Sequence, residues 1–217
     1  MKKFILPLML LLLAAGFLFA VESDPSAVVG YVKYGMVAGN NMAAIPMECP
    51  WGWASELGIE LGEGVVDQIS MWDPATQSFA TAADLGGFWD GDFELNSGKV
   101  LMIYSYGSVS MYSIGNLPST NAAYGIVSGN NTVMVPLNRS DLAWASDLGI
   151  EMGEGIVDQI SMWDATSQSF ATAADLGGFW DGDFDMSIGL PLMVYSYGSM
   201  TWPNRAASLN AKSSKSK

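Results

Sequence analysis

Short apolar runs separated by turn-forming residues fill most of the chain. Two of them, "YVKYGMV" at 31–37 and "NMAAIP" at 41–46, are rich in the β-branched, aromatic and small apolar residues of strands, and Gly39, Asn40 and Asn41 at their junction favour a turn. In "VVDQISMWD" at 65–73, Val65, Ile69 and Met71 fall on one face of an extended strand. Asp73 and Pro74 then suit a type I turn, so a hairpin is predicted with its second strand starting near Ser78.

One segment in this region has helical spacing. In "WASELGIELG" at 53–62, Ala54, Leu57 and Leu61 repeat at helical intervals, and Gly62 and Gly64 end the pattern. The runs "VLMIYSYGS" at 100–108 and "PLMVYSYGS" at 191–199 are apolar without alternation at their start, as in strands covered on both faces or in a barrel. Many short strands with one short helix predict a small β-barrel or β-sandwich.

This pattern occurs twice. The windows 53–93 and 144–184 differ at only six of 41 positions, and 34–46 resembles 124–136. A unit of about 90 residues is long enough for a small domain. The sequence therefore predicts a mainly β protein of two tandem small β-barrel or β-sandwich domains, each with one short helix, at 21–112 and 113–204, followed by a basic flexible tail at 205–217.

The first 20 residues have the pattern of a secretory signal peptide. Lys2 and Lys3 precede an unbroken apolar run that ends at Ala20, and acidic Glu22 and Asp24 follow where a membrane anchor would have basic residues. We expect cleavage after Ala20, a secreted or cell-surface location, and no membrane span in the mature chain. Cys49 is the only cysteine, so the exported chain has no intramolecular disulfide.

The composition bears on catalysis. Histidine is absent, which removes the commonest general base and every Ser-His or Cys-His pair. A glycosidase pair of carboxylates is the available alternative, but two identical copies do not suit the asymmetric pair that a glycosidase cleft needs. We therefore expect that the protein is not an enzyme.

The charge is unevenly distributed. All 22 acidic residues lie within 21–204, which holds only three basic ones, Lys33, Lys99 and Arg139. Such an acidic body repels phosphate backbones, so nucleic acid is not expected as a partner. The acidic excess indicates solubility or, alternatively, cation binding.

Two acidic clusters are candidate calcium sites. Asp90 and Asp92 flank Gly91, and Asp181 and Asp183 repeat the arrangement around Gly182. Calcium binds oxygen ligands, and paired aspartates on a tight loop supply some of them, although the spacing is not that of an EF-hand. The alternative is that Asp-Gly forms a tight turn with the flanking aromatic rings packed beside it. No other cofactor is expected.

Aromatic residues beside these clusters are candidate ligand-binding residues. Flat rings next to aspartate are typical of sugar sites, so Trp72, Trp89, Trp163 and Trp180, with Phe88 and Phe179, are candidate sugar-stacking residues. In a small domain such rings more often belong to the core, and we favour the core because Trp72 and Trp163 lie within hairpin strands. The step from Phe88 to Trp89 resembles a loop, so Trp89 and Phe88, with Trp180 and Phe179 in the second copy, are the predicted ligand-binding residues.

The order of motifs resembles a known kind of repeat. "GNN…IP", "ASELG", "VDQISMWD…TQSF", "DFEL…G" and "LMIYSY" are similar to a repeat of secreted, often multi-repeat surface proteins of environmental bacteria. The resemblance covers 34–106 and 124–197. It implies an exported β-rich module, used at or beyond the cell surface, and no catalytic residue.

The beginning of the mature chain differs from the beginning of the second unit. "AVVGYVKY" at 27–34 is apolar and strand-like, whereas "PSTNAAY" at 118–124 is polar, so we expect the first unit to have a strand that the second lacks. The strand from Ala27 to Tyr34 either adds to the sheet edge of another subunit or pairs with "SVSMYSI" at 108–114 of its own chain. We favour donation to a neighbour, because an open head-to-tail contact between such duplicated bodies extends into a filament or tube when its rotation does not close. The predicted function is a self-assembling secreted structural protein, with a carbohydrate-binding or adhesive module as the alternative.

Overall fold

The computed structural model describes residues 29–48 and 50–203. The predicted signal peptide, Cys49 and the basic tail lie outside these residues. Neither helix in the described ranges has the length and apolar character of a membrane span.

Each copy of the repeat folds into the same order of elements. The first unit contains β1 (Val29–Met36), β2 (Gly39–Ala44), α1 (Ala54–Leu61), β3 (Val66–Asp73), β4 (Ser78–Asp84), β5 (Trp89–Asp90), β6 (Val100–Ser105) and β7 (Val109–Asn116). The second contains β8 (Tyr124–Ile126), β9 (Gly129–Met134), α2 (Ala145–Met152), β10 (Val157–Asp164), β11 (Ser169–Asp175), β12 (Trp180–Asp181), β13 (Pro191–Ser196) and β14 (Met200–Trp202). Strand β7 crosses the predicted boundary at 112/113 and pairs within the first unit.

Both units build the same sheets. A five-stranded antiparallel sheet has the order β2-β6-β3-β4-β5 in the first unit and β9-β13-β10-β11-β12 in the second. A two-stranded ribbon, β1-β7 or β8-β14, accompanies each sheet. The protein is therefore mainly β, with two β-sandwich-like units that each contain one short helix, and the predicted fold class is confirmed.

The core of each unit lies between the large sheet, the helix and the ribbon. In the first unit, Ile69 of β3 and Ile103 of β6 pack against Leu57 of α1 and Met111 of β7. The apolar face of β3 is shifted from its predicted register, because a β-bulge between Val66 and Gln68 interrupts the alternation. Val66 is fully buried, and Val65, which the simple alternation places on that face, is not.

The predicted hairpin is present, and its turn is stabilised by Asp73. Strand β3 ends at Asp73 and β4 begins at Ser78. The Asp73 carboxylate accepts hydrogen bonds from the Ala75 N–H at 2.9 Å and from the Thr76 hydroxyl at 2.8 Å. Gln77 closes the turn with a φ of 53°, a left-handed conformation uncommon for a residue other than glycine.

The predicted turn at Gly39–Asn41 lies two residues earlier in the structure. Gly39, Asn40 and Asn41 already belong to β2, and Val37 and Ala38 connect the strands. The buried Asn41 side chain accepts a hydrogen bond from the Val37 N–H at 2.9 Å and donates to the Val37 carbonyl at 2.8 Å. An asparagine amide that satisfies the connection in this way can lie within a strand.

Strand β1 is paired inside its own chain. All eight of its residues pair with β7, from Val29 opposite Asn116 to Met36 opposite Val109. This is the self-pairing alternative, whereas the sequence favours donation to a neighbouring subunit; β7 of the same chain offers a complete antiparallel partner for all eight residues. The expectation that the second unit lacks this strand is wrong, because β8 pairs with β14 at the same place, although over three residues only.

Candidate functional site

The two units contact each other through reciprocal hydrogen bonds. Trp72 Nε1 donates to the Asn130 carbonyl at 2.8 Å, and the Gln77 amide both donates to that carbonyl at 3.0 Å and accepts from the Asn130 N–H at 2.8 Å. In the reverse direction, Trp163 and Gln168 make the same three bonds to Asn40, at 2.8, 2.9 and 2.8 Å. Matching contacts in both directions are the mark of an isologous interface.

These glutamines cover the edges of the two large sheets. Strands β2 and β9 are edge strands, so their outward N–H and C=O groups have no partner in their own sheet. The side-chain amide of Gln77 presents a donor and an acceptor to Asn130 as a neighbouring strand would. Gly129 makes room for it, because its φ is 103° and a Cβ there would lie within 2.4 Å of the Gln77 amide oxygen.

Two tyrosines add further contacts between the units. Tyr34 donates its hydroxyl hydrogen bond to the Gly189 carbonyl at 2.8 Å, and Tyr124 donates to the Gly98 carbonyl at 3.0 Å. Burial raises the pKa of both tyrosines far above the ordinary value of 10.0. A small apolar cluster of Ala44, Val100 and Met134 is buried beside them. The identity of the two copies therefore includes the residues that hold the copies together.

A groove of about 420 Å³ opens between the units beside this contact. Its walls include two edge-to-face ring pairs, Trp72 with Phe79 and Trp163 with Phe170, each with ring centroids 4.9 Å apart. A second set of lining residues is polar and uncharged, namely Asn40, Gln68, Ser70, Thr81 and Asn130. The sequence favours the core for Trp72 and Trp163 and gives no sign of this groove, which both rings line.

The tryptophans predicted for glycan binding pack against the helices. Trp89 lies over Gly58 of α1 so closely that a Cβ at Gly58 would fall 2.2 Å from the indole ring, and Trp180 lies in the same way over Gly149 of α2. Both rings are half-buried. Phe88, by contrast, is 65% exposed, as is its counterpart Phe179 at 66%. The structure thus separates the two kinds of predicted residue, since the tryptophans support helices and the phenylalanines face outward.

Each exposed phenylalanine lies in a hydrogen-bonded hairpin tip, 85–88 in the first unit and 176–179 in the second. The Asp84 carboxylate accepts hydrogen bonds from the N–H groups of Gly86 and Gly87 at 3.0 and 2.7 Å. The Leu85 N–H donates to the Phe88 carbonyl at 2.8 Å. The Asp175 carboxylate and Leu176 repeat these bonds in the second tip. Each tip therefore presents one leucine and one phenylalanine to solvent from a fixed backbone.

The aspartates predicted for calcium have different surroundings. Asp92 accepts hydrogen bonds from the Ser55 N–H at 3.0 Å and the Ser55 hydroxyl at 2.5 Å, so it satisfies the first turn of α1. Asp183 does the same for Ser146 of α2. Asp90 and Asp181 are exposed residues of the short strands β5 and β12. Among the described residues, no three candidate metal ligands form a group that would hold an ion.

The outer face of the β1-β7 ribbon also exposes large side chains. Tyr31 of β1 lies opposite Ile114 of β7, and Lys33 lies opposite Tyr112 with its Nζ 5.6 Å from the ring centroid. Tyr31 is 69% exposed and Ile114 is 50% exposed. We call these four residues the ribbon face. Once both strands are assigned, the alternation of a strand predicts from the sequence that these four residues face outward while Met36, Met111 and Ser113 are buried.

Several functional residues were missed because their roles depend on contacts between the units. Gln77 and Asn40 carry no chemical signature in the sequence, and only their identity with Gln168 and Asn130 marks them. The resemblance to exported repeat modules stays a prediction. No family model, curated protein or solved structure matches the chain.

Proposed function

We propose that the protein is a secreted, non-catalytic structural protein that assembles with copies of itself outside the cell, with the ribbon face as one side of the contact between subunits. Export follows from the predicted signal peptide. The observation that carries the proposal is the ribbon face itself, which exposes two tyrosines and an isoleucine in a chain that is otherwise strongly acidic. Exposed apolar patches of this kind are typical of protein contacts.

The ribbon also has the longest uncovered strand edges in the described part of the chain. The other unit covers the edge strands β2 and β9 at Asn40 and Asn130, and β5 and β12 are two residues long. Strands β1 and β7 have eight residues each and pair with one another, with a further bridge from Glu48 at the terminal Asn116 of β7. An uncovered edge of this length is a template for pairing with another chain.

The asymmetry of the two ribbons favours an open polymer. The β8-β14 ribbon has three residues in each strand, so the ribbon face exists in the first unit only. A contact between this face and a different surface of the next subunit is heterologous, and such contacts extend into filaments when the rotation does not close. End-to-end joining of subunits therefore needs no exchange of β1 between chains.

The hairpin tips are the surfaces that best match the ribbon face. Each carries an exposed leucine and phenylalanine, and Asp84 and Asp90 flank the first of them. Lys33 of the ribbon face is one of three basic residues in 21–204. Apolar contact and opposite charge therefore agree in pairing a tip of one subunit with the ribbon face of the next.

The experiment compares the oligomeric state of the mature chain with that of two variants. Light scattering and electron microscopy of the wild-type protein are expected to show concentration-dependent polymers. Combining Tyr31→Ser with Ile114→Ser is expected to leave monomers. The matched control is Ile150→Ser, which removes an equally exposed isoleucine, 54% against 50%, from α2.

Two outcomes contradict the proposal. One is a wild-type chain that is monomeric at every concentration tested, and the other is a double variant that polymerises as the wild type does. Circular dichroism of the variants confirms that any loss of polymer is not a loss of fold. Phe88→Ser with Phe179→Ser then tests the tips, and polymers that survive this change place the partner surface elsewhere.

A further inference from the structure

We propose that the groove between the units is a binding site for a neutral carbohydrate of a few sugar rings. This site is separate from the ribbon face and from Trp89 and Trp180, and it is lined by the hairpin tryptophans Trp72 and Trp163. Its volume of about 420 Å³ lies in the range of ligand pockets in proteins, roughly 300–1,000 Å³.

The groove has no charged residue in its lining. It is bounded only by tryptophan, phenylalanine, methionine, asparagine, glutamine, serine and threonine. This neutrality is notable in a chain with 22 acidic residues. A charged ligand would lose its hydration in such a groove without gaining an opposite charge, so the lining selects an uncharged ligand.

Two aromatic pairs give the groove flat apolar surfaces. Phe79 and Phe170 are both more than one third exposed, although each ring contacts a tryptophan of its own unit. Trp72 and Trp163 are fixed in place by their N–H bonds to the opposite unit. Rigid, partly exposed rings on both walls suit a ligand with apolar C–H faces, and the interaction loses little side-chain entropy because the rings are already ordered.

The floor of the groove supplies hydrogen-bonding groups. The Ser70 hydroxyl lies 2.8 Å from the Thr81 hydroxyl, and Gln68 Nε2 donates to Ser70 Oγ at 3.2 Å. Each hydroxyl combines a donor with two acceptor lone pairs, and the Gln68 amide has a second N–H and a carbonyl oxygen. Ser70 is buried, so the half-buried Thr81 hydroxyl and the exposed Gln68 amide are the groups that can take further partners that both donate and accept, as sugar hydroxyls do.

A peptide is a poorer fit to the same groove. Extended peptides bind by adding their backbone to a free sheet edge. The floor side chains lie on β3 and β4, and β3 is paired on both sides, with β4 and β6, whereas β4 pairs with β5 at Ala83 and Asp84 only. The backbone of β3 is therefore occupied in the sheet, and this strand offers a ligand only its side chains.

The experiment screens the mature protein against an array of neutral, acidic and basic oligosaccharides and measures the best neutral ligand by titration calorimetry. Thr81→Val is expected to weaken binding about tenfold, because it removes one hydroxyl from the floor at nearly constant shape. Thr172→Val is the matched control. Thr172 makes the same 2.8 Å contact with Ser161 in the second unit but does not line the groove.

Phe79→Ala is a second test, and it is also expected to weaken binding while the fold, followed by circular dichroism, is retained. The proposal is overturned if the array shows no neutral ligand, if only charged glycans or peptides bind, or if Thr81→Val and Thr172→Val have equal affinities. The Tyr31→Ser/Ile114→Ser variant is expected to bind as the wild type does. Failure of assembly and failure of glycan binding are thus separate results.

Discussion

At the scale of single residues, Tyr34 and Tyr124 are half-buried groups whose protonation is linked to the contact between the units. Each hydroxyl donates to a carbonyl of the opposite unit, and burial raises the pKa of each well above its usual value. A folded-state pKa above the unfolded value means that the folded protein retains its proton more strongly. The stabilisation is therefore complete below about pH 10 and is lost as the pH rises above that value.

Substituting both tyrosines is expected to separate two effects. Tyr34→Phe with Tyr124→Phe removes two hydrogen bonds, so the free energy of unfolding at neutral pH falls by about 1 kcal/mol for each. Above about pH 10, the same variant is expected to lose stability less steeply than the wild type, since it has two fewer phenols to deprotonate. Denaturant unfolding at pH 8 to 12 measures both.

Two other tyrosines with raised pKa values, Tyr106 and Tyr197, are present in both the wild type and the Tyr34→Phe/Tyr124→Phe variant. Hydrogen bonds to Asp67 and Asp158 raise the pKa of these exposed tyrosines, and both remain in the variant, so their contribution cancels. Equal slopes for wild type and variant above pH 10 would exclude the linkage.

Equivalent glutamates in the two copies, Glu60 and Glu151, have different hydrogen-bond partners, because the surrounding residues differ between the copies. The carboxylate of Glu60 accepts a hydrogen bond from Trp51 Nε1 at 2.5 Å. Its counterpart Glu151 accepts one from Trp202 Nε1 at 3.0 Å and forms an ion pair with the buried Arg139. The hydrogen bonds that Arg139 donates to Glu151 and Asp141 raise the pKa of Arg139 further above its ordinary value, although burial opposes the rise. The loops that diverged most in sequence therefore still supply a partner to the conserved carboxylate.

At the scale of elements, the coverage of β2 and β9 depends on glycine. Gly129 has a positive φ and lies against the Gln77 amide, so it is required both for its conformation and for the close approach. Gly129→Ala is expected to lower the free energy of unfolding by about 1–3 kcal/mol. Thermal or denaturant unfolding of the variant provides the measurement.

Gly125 is the control for that change. It lies in the nearby strand β8, its φ is not positive, and a Cβ there meets nothing within 4 Å. Gly125→Ala is expected to change stability by less than about 0.5 kcal/mol. If the two alanine variants were equally stable, the close approach of Gln77 to Gly129 would not matter for the fold.

Elements were largely predictable from local patterns. The helical spacing of Ala54, Leu57 and Leu61 and the Asp73-Pro74 turn correspond to α1 and to the β3-β4 hairpin, because the determinants lie within a few residues. The bulge before Gln68 was not predictable, since it arises from pairing with β6, more than thirty residues away. The same holds for the packing of Trp89 on Gly58, which brings together residues that are distant in sequence.

At the scale of the whole molecule, the sequence repeat predicts two similar units but does not predict how the two units contact each other. Identity through helix, hairpin and loop indicated a duplicated folding unit. It did not indicate that Trp72 and Gln77 contact Asn130 in the other copy. Two identical copies have the same sequence whether or not they contact each other, so the repeat alone cannot reveal an isologous contact inside one chain. The groove follows from that contact and was hidden for the same reason.

Reciprocal bonding between the units also predicts how the molecule unfolds. Each unit satisfies an edge strand of the other, so loss of either unit leaves unpaired groups on its neighbour. We expect one cooperative transition, with equal calorimetric and van't Hoff enthalpies, in differential scanning calorimetry of the monomeric Tyr31→Ser/Ile114→Ser protein.

Weakening the contact is expected to split that transition. The test introduces Gln77→Asn and Gln168→Asn into the same protein. Asparagine tolerates the positive φ of 53° at both positions. Its side chain is shorter by one methylene, so the amides no longer reach Asn130 and Asn40. The units then unfold at different temperatures, because only the first has an eight-residue ribbon and only the second has the Arg139 ion pair. The matched control is Gln68→Asn with Gln159→Asn, an equivalent pair of exposed glutamines that do not bridge the units. A calorimetric enthalpy above the van't Hoff value in the Gln77→Asn/Gln168→Asn variant, but not in the control, supports coupling through these glutamines. A single transition in both proteins would mean that the apolar and tyrosine contacts hold the units together without the glutamines.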